Sequence, residues 1–326
     1  FISYSQNNTI DSLKSLLIQA KEDTSKVKAL NDIAEHYISA ALYDSALIFA
    51  NESVLLAEKI NYKKGLSYVY QIFGDIAQDK GNFSQALNFY EEALKIDESR
   101  VDKMSIASDL NSISITYSYQ NDDNKAIEYC NKALKISEEI NDIKGIIRSV
   151  SNIGAFYANK GDNFLAERNY FKALKLAEQQ KGDKGMSYKI RKLYNNIGVL
   201  YLDQQNYSKS LEYFLKSIAL HDEYSKTLEF GSLLYNIGEI YRKTNNYNWS
   251  IHYLKRALNI FEVAGNKPII SKVLATFGSL YCDQKNYDSA FTFFLKALKI
   301  DQEIDYNFGI ACDYINIGAT YSYTKN

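Results

Sequence analysis

The pattern of small and large apolar residues along the chain predicts a series of helix pairs. A small residue recurs within an apolar segment every 40 residues, apart from one interval of 44 between Gly154 and Gly198. Twelve residues later comes a second small residue, followed in most copies by a large residue after four positions and a small one after three more. Such spacings place side chains on one face of a helix. The first small residues of the successive repeats are Ala34, Gly74, Ser114, Gly154, Gly198, Gly238, Gly278 and Gly318.

Turn-forming pairs such as Asn121-Asp122 and Gly161-Asp162 separate the two halves of each repeat. Self-similarity at a fixed period indicates a repeat architecture, so each repeat is predicted to be a helix, a short turn and a second helix. Any β-sheet domain would contradict this prediction. The first helices are expected to end near the following residues: Asn121, Gly161, Gln205, Asn245 and Lys285.

The turns between repeats are predicted from other residues. Gly65, Gly145 and Gly309 are expected to lie there, because a left-handed glycine commonly ends a helix. The four extra residues of the long interval are expected within residues 179–185, as a longer connection between two repeats.

The order of the recurring positions within a repeat resembles the tetratricopeptide repeat. The first helix carries a small residue with Tyr three positions later, and the second helix carries the set seen at Ala166, Tyr170 and Ala173. The resemblance covers seven full repeats and the first helix of an eighth, roughly residues 24–326. It implies an all-α, right-handed α-solenoid. Two features differ from the family pattern: the repeats are longer than the usual length of about 34 residues, and the closing proline is missing, since the single proline is Pro268.

Two regions are expected along the chain. Residues 1–22 form an N-terminal segment with a capping helix, in which Thr9 is the cap and apolar residues follow at helical spacing. Residues 23–326 form the repeat solenoid. The last predicted helix, around Gly318, has no second helix to cover its apolar face, so the natural chain is expected to continue past Asn326. A longer chain is then expected to melt at a higher temperature.

Composition and charge narrow the classes of partner. The formal net charge of −1 argues against nucleic acid or an anionic membrane as the main partner. No apolar run reaches the length of a membrane span. Residues 3–5 have the small-x-small form of a secretory cleavage site, which favours an extracytoplasmic, periplasmic location over the cytoplasm.

The sequence carries no constellation expected of an enzyme. The three histidines fall at unrelated positions of the repeat, which argues against a metal site or a base–nucleophile pair. The glycines occur singly, without a phosphate-binding loop, and no cofactor is expected. Cys130 is expected to be a buried hydrophobe, and Cys282 and Cys312 are expected to lie too far apart to bond. Trp249 is interpreted as a packing residue rather than a ligand platform.

Polar residues in the middle of three first helices predict a peptide-binding groove. In the tetratricopeptide family the first helices line the concave face, and the resemblance implies the same here. Asn152, Asn196 and Asn236 hold one register position, where an amide can donate to and accept from a peptide backbone. Arg148 and Lys192 lie one turn earlier and are expected to attract an acidic group. The alternative is that the asparagines only cap or bridge neighbouring helices.

The predicted function is that of a non-catalytic module that binds a protein or an extended peptide in its groove. Strings of such repeats resemble the sensing or interaction regions of bacterial membrane-bound sensor kinases and regulators, an analogy of architecture. The alternatives are a cytoplasmic peptide-responsive regulator and a scaffold that assembles other proteins. A third is an enzyme whose catalytic domain lies outside this stretch.

Overall fold

The described part of the chain is built from helices joined by short turns. The computed structural model describes Leu17 and residues 21–180, 182–183, 185–221 and 227–324. These residues contain the fifteen helices given below and no β-strand. The chain divides into two compact units, Phe1–Gln180 and Lys181–Asn326. The predicted all-α helical-repeat solenoid is therefore confirmed, and each unit is described by itself.

The first unit contains four helix pairs. The helices are α1 (Thr24–Ser39), α2 (Tyr43–Lys59), α3 (Lys63–Asp79), α4 (Phe83–Ser99), α5 (Lys103–Tyr119), α6 (Asp123–Glu139), α7 (Ile143–Asn159) and α8 (Asn163–Glu178). Odd-numbered helices are the first helices of repeats and even-numbered helices are the second. Each helix packs on the next one in sequence, and α1 also packs on α3, as α5 does on α7.

The second unit contains three helix pairs and one further helix. The helices are α9 (Met186–Asp203), α10 (Tyr207–Ile218), α11 (Leu228–Lys243), α12 (Tyr247–Ala264), α13 (Lys267–Asp283), α14 (Tyr287–Glu303) and α15 (Asn307–Thr324). One hydrophobic core runs through α10 to α13. The connection from α8 to α9 occupies residues 179–185, where the sequence predicts the extra residues. The predicted N-terminal cap lies outside the described residues except for Leu17, which packs on the core around Val27 and Leu56.

A left-handed residue followed by a helix cap closes the first helices where the sequence predicts. Helix α5 ends at Tyr119, two residues before Asn121, whose φ is +60°. The neighbouring Asp122 then accepts a hydrogen bond from the Lys125 backbone N–H at the start of α6. The same positive φ occurs at the other four predicted ends, which are Gly161, Gln205, Asn245 and Lys285.

The glycine positions predicted for the inter-repeat turns are wrong. Gly65, Gly145 and Gly309 are each the third residue of a first helix, and none has a positive φ. The left-handed residue comes four positions earlier, at Asn61, Asn141 and Asp305 respectively. The three glycines instead permit close packing against the preceding repeat. A methyl group on Gly65 would lie 2.5 Å from Val27 Cγ1, and one on Gly145 would lie 2.6 Å from Ser137 Oγ.

A large side chain from the second helix fills the space beside the central small residue of the first. A methyl group on Gly198 would lie 2.5 Å from Cδ1 of the buried Phe214 ring, and one on Gly278 would lie 2.5 Å from Phe294 Cε1. Such contacts leave no room for a larger residue, which explains the recurrence of glycine. In the last helix, by contrast, nothing lies within 4 Å of the equivalent position on Gly318.

The remaining predictions concern individual side chains. Cys130 is fully buried, and all three cysteines are free. Trp249 is 55% exposed and stacks on Tyr241 with ring centroids 6.2 Å apart, so it packs at the surface rather than in the core. Tyr321 on α15 is more than half exposed, although its ring contacts Phe291 of α14.

Candidate functional site

A cavity opens on the first helices of the first unit. It has a volume of about 550 Å³ and is lined mainly by residues of α1, α3, α5 and α7. Only Asp97 of α4 and Ser137 of α6 reach it from second helices. The wall of the cavity is thus formed by the same face of the first helix in each of four successive repeats.

Four cationic side chains and three aspartates line this cavity. Lys28 and Arg148 occupy one register position, six residues before the central small residue of their repeats, and Lys64 and Lys144 lie one turn earlier. All four are exposed. The guanidinium Nη1 of Arg148 donates to Ser108 Oγ at 3.2 Å, which holds the Arg148 side chain across from α7 to α5.

The inner wall of the cavity contains a row of amides. Asn31, Gln71 and Asn111 lie three residues before the central small residue, on α1, α3 and α5. Their side chains bridge neighbouring helices. Asn31 Oδ1 accepts a hydrogen bond from Ser53 at 2.6 Å, and Asn111 Nδ2 donates to Ser149 Oγ at 3.1 Å. These amides therefore fix the packing of the repeats, and the exposed cations are the groups most available to a ligand.

Two carboxyl groups meet behind the amides. Asp97 is almost fully buried, accepts a hydrogen bond from Ser67 Oγ at 2.6 Å and forms an ion pair with Arg100. Asp109 is fully buried and accepts a hydrogen bond from the Gln71 amide. Burial, and secondarily the charge of Asp97, raise the pKa of Asp109 to about 8, against the opposing effect of the Gln71 hydrogen bond.

The five predicted site residues divide between the two units. In the first unit, Arg148 lines the cavity, and the half-buried Asn152 donates from Nδ2 to Asn111 Oδ1 at 3.3 Å. Asn152 therefore has the bridging role that the sequence left open, while part of its surface stays accessible.

The other three residues lie in the second unit, outside this cavity. Lys192 on α9 is exposed, with its ammonium 5.1 Å from the Tyr188 ring centroid. Asn196 on α9 and Asn236 on α11 are half-buried. The ion pair between Arg191 and Glu229, at 3.3 Å, links the same two helices.

Sequence reasoning did not predict the cavity itself. The predicted residues lie in repeats four to six, whereas the cavity is built from repeats one to four. The sequence does contain a signal for the cavity, which is the recurrence of cations at two register positions of the first helices. Lys28 shares one position with Arg148, and Lys64 shares the other with Lys144. Aligning all repeats by their central small residue would have shown these cations.

Two kinds of feature are absent from the described residues. No group of three or more His, Cys, Asp or Glu side chains suited to a metal ion occurs in the described ranges. Within those same ranges, none of the helices combines the length and apolar character needed to cross a membrane.

Comparison with known sequences identifies the class of protein. The fold and the cavity define a helical-repeat module, whose stacked repeats offer an extended binding surface. Profiles described as tetratricopeptide repeat match residues 61–100, 110–140, 189–262 and 271–304. The chain belongs to the tetratricopeptide repeat family.

Among curated proteins, the chain is similar to the photosystem I assembly protein Ycf3 of Prochlorococcus marinus. The two are 32% identical over 83 residues, which is 26% of this chain and 46% of Ycf3. The chain thus spans about half the length of the curated relative that it matches.

Solved structures with similar folds include proteins that sense or bind other molecules. One is a signal transduction ATPase with numerous domains from Pyrococcus horikoshii, which has a tetratricopeptide repeat sensor. Its TM-score is 0.71 at 18% identity, over 99% of this chain and 50% of that protein. Another is the Rap conjugation gene regulator of the plasmid pLS20 in complex with the Phr* peptide. It gives a TM-score of 0.54 at 16% identity, over 92% of this chain and 96% of the regulator. At these identities the likeness concerns the fold alone.

Proposed function

We propose that this chain is a non-catalytic interaction module that binds an extended protein or peptide segment along the first helices of its repeats. The observation that carries the proposal is the cavity of the first unit, whose wall comes from four successive first helices and whose lining includes four exposed cations. A segment that lies along such a wall meets the same register positions in each repeat. An extended chain therefore fits it better than a compact ligand does.

The exposed cations of the cavity favour acidic groups in the ligand, and the aspartates that also line it favour basic ones. Arg148, Lys28 and Lys64 are exposed around it, and Arg148 is already oriented by its hydrogen bond to Ser108. An ordered guanidinium can donate two hydrogen bonds to a carboxylate. In the second unit, Lys192, Asn196 and Asn236 are proposed to form the corresponding contacts on α9 and α11.

We place this module in a larger bacterial signalling protein, as its sensing or interaction region, in an extracytoplasmic compartment. The fold shared with a tetratricopeptide repeat sensor supports the sensing role, and the fold shared with a peptide-bound regulator supports peptide as the ligand class. A scaffold that assembles other proteins is the second candidate, which the similarity to an assembly protein favours.

The proposal is tested by selecting linear peptides from a random phage-displayed library on the whole chain. The enriched peptide is synthesised, and its binding is measured by fluorescence anisotropy to the wild type and to Arg148→Ala. We expect the variant to bind about tenfold more weakly, as the loss of one charge-assisted hydrogen bond implies. Its binding should also depend less on salt, because one exposed cation is gone.

Two further variants separate a groove contact from a general effect of charge or packing. Lys95→Ala removes an exposed cation from the second helix α4 and should leave peptide binding unchanged. Asn152→Ala should weaken binding while the circular dichroism of the helices stays the same. The groove proposal is refuted if Arg148→Ala and Lys95→Ala reduce binding equally, or if selection enriches no peptide.

A further inference from the structure

Pairs of buried aspartates occur at the same register position in two interfaces between repeats. Asp97 on α4 faces Asp109 on α5, and Asp301 on α14 faces Asp313 on α15, with the members of each pair twelve positions apart. All four are at most 3% exposed. Within the two units, three other interfaces carry apolar or hydroxyl side chains at these positions, namely Ala57 with Val69, Ser137 with Ser149, and Phe261 with Val273. The α10–α11 interface has His221 with Leu233 there, so the aspartate pair is confined to α4–α5 and α14–α15.

In the first pair, three of the four carboxyl oxygens accept a hydrogen bond from another residue, and the fourth can carry a proton. The two carboxyl groups interact directly, since, in addition to burial, the charge of Asp97 and hydrogen bonding with it both help to raise the pKa of Asp109. Gln71 donates to Asp109 Oδ1, while Ser67 and Arg100 donate to the two oxygens of Asp97. Among the described residues, Asp109 Oδ2 has no donor. Two ionised carboxylates hold no proton to share, so a hydrogen bond between them requires that one be protonated.

The second pair repeats this arrangement. The carboxyl groups of Asp301 and Asp313 also interact directly, since, in addition to burial, the charge of Asp301 and hydrogen bonding with it both help to raise the pKa of Asp313. Asp301 Oδ1 and Asp313 Oδ2 are buried, and no described residue donates to either. A proton between the carboxyl groups would satisfy both oxygens, whereas two unprotonated carboxylates would repel each other in a buried interface.

We propose that each aspartate pair holds one shared proton in the folded protein, and that loss of this proton weakens the packing of the two helices that carry it. The interfaces α4–α5 and α14–α15 would then loosen as the pH rises. This device is additional to the groove. Asp97 also lines the cavity, so loss of the proton could alter ligand binding there. That further effect, unlike the shared proton itself, rests on the proposed function.

The charged groups around each pair are consistent with a retained proton. Asp97 and Asp102 face Asp109, and the one nearby guanidinium that the described residues show here, Arg100, is engaged by both Asp97 and Asp102. Lys64 on α3 faces Asp102. For Asp313, the facing charged group among the described residues is Asp301 on α14.

The sign of the pH dependence follows from where the proton is held. Burial first, and the partner aspartate second, raise the pKa of Asp313 to about 7, as they raise that of Asp109 to about 8. An aspartate in the unfolded chain has a pKa near the ordinary value of 3.8. The folded state therefore binds more protons than the unfolded state between these values. The stabilisation is fully present below about pH 4 and is lost as the pH rises through about 7 and 8.

The test uses Asp109→Asn in the whole chain, because an amide keeps the shape of a protonated carboxyl and cannot release the proton. Hydrogen–deuterium exchange, corrected for the intrinsic pH dependence of amide exchange, measures the opening equilibrium constant of α4 and α5 between about pH 5 and 8. We expect the ratio of wild-type to variant opening constants to rise by up to tenfold per pH unit. Glu98→Gln changes an exposed carboxylate on α4, next to Asp97, and should behave as the wild type.

Two measurements keep the proposal falsifiable if Asp109→Asn fails to fold. Asp313→Asn should remove the pH dependence of α14 and α15 alone. Infrared spectroscopy of the wild type at about pH 6 should show a protonated carboxyl band that disappears above about pH 8. Parallel exchange profiles for the wild type and a folded variant, or absence of the infrared band, would overturn the proposal. A retained pH effect without any peptide binding would refute the proposed function and leave the shared proton standing.

Discussion

At the scale of single residues, the central glycine of a first helix is required where a side chain of the second helix packs directly against it. Gly198 has no room for a methyl group, because the Phe214 ring occupies that space. Gly318 holds the same register in α15 and has nothing within 4 Å of that position. Within the described residues, the same residue type therefore packs against an aromatic ring in one helix and meets no such side chain in the other, which the repeat pattern alone does not distinguish.

The substitution Gly198→Ala is expected to destabilise the second unit. Its methyl group would overlap the Phe214 ring, and overpacking of this kind costs about 1–3 kcal/mol. Gly318→Ala is the matched control and should raise stability by about 0.5–1 kcal/mol, because alanine is the better helix former and the site is open. Both free energies of unfolding are measured by chemical denaturation. Equal effects of the two substitutions would contradict the packing role of Gly198.

At the scale of helices and turns, the turn between repeats places one residue in the left-handed region. In three successive turns of the first unit this residue is Asn61, Val101 and Asn141, with φ between +53° and +56°. Asparagine adopts this conformation readily, whereas a β-branched side chain is strained there. Val101 is 75% exposed, so little core packing compensates for its strain.

Replacing Val101 with asparagine is therefore expected to stabilise the first unit by about 1 kcal/mol. The converse substitution, Asn141→Val, introduces the same strain one repeat later and should destabilise the unit by a similar amount. Thermal melts followed by circular dichroism would measure both changes. If Val101→Asn lowers the melting temperature, the strain argument for this turn is incorrect.

The helix ends were predictable because they depend on local chemistry, whereas the cavity was not. Asn121 and Gly161 favour a left-handed conformation whatever surrounds them, so the sequence shows where α5 and α7 end. Gly65 has two explanations in a sequence, a turn or a close contact, and only the position of Val27 decides between them. Likewise, an asparagine at the register position of Asn152 could either bind a ligand or bridge two helices. Its bond to Asn111 depends on how two repeats stack, which no local pattern specifies.

At the scale of the whole molecule, stability is expected to be distributed along the chain rather than concentrated in one core. Each repeat in a solenoid contacts only its neighbours, so a local defect weakens the nearest interfaces most. Tyr90 in the first unit and Phe294 in the second occupy equivalent positions, sixteen residues after Gly74 and Gly278, and both are buried. They offer matched defects in the two compact units.

Truncating these side chains should destabilise different parts of the chain. We expect Tyr90→Ala to cost about 3–5 kcal/mol, as for other buried aromatic residues, and to increase hydrogen–deuterium exchange mainly in α3 to α6. Phe294→Ala should increase exchange mainly in α13 to α15. The measurement is exchange read by mass spectrometry on both variants, at a temperature where each stays mostly helical. If either substitution increased exchange equally in all described helices, the chain would unfold as one cooperative body, and the nearest-neighbour account of its stability would be wrong.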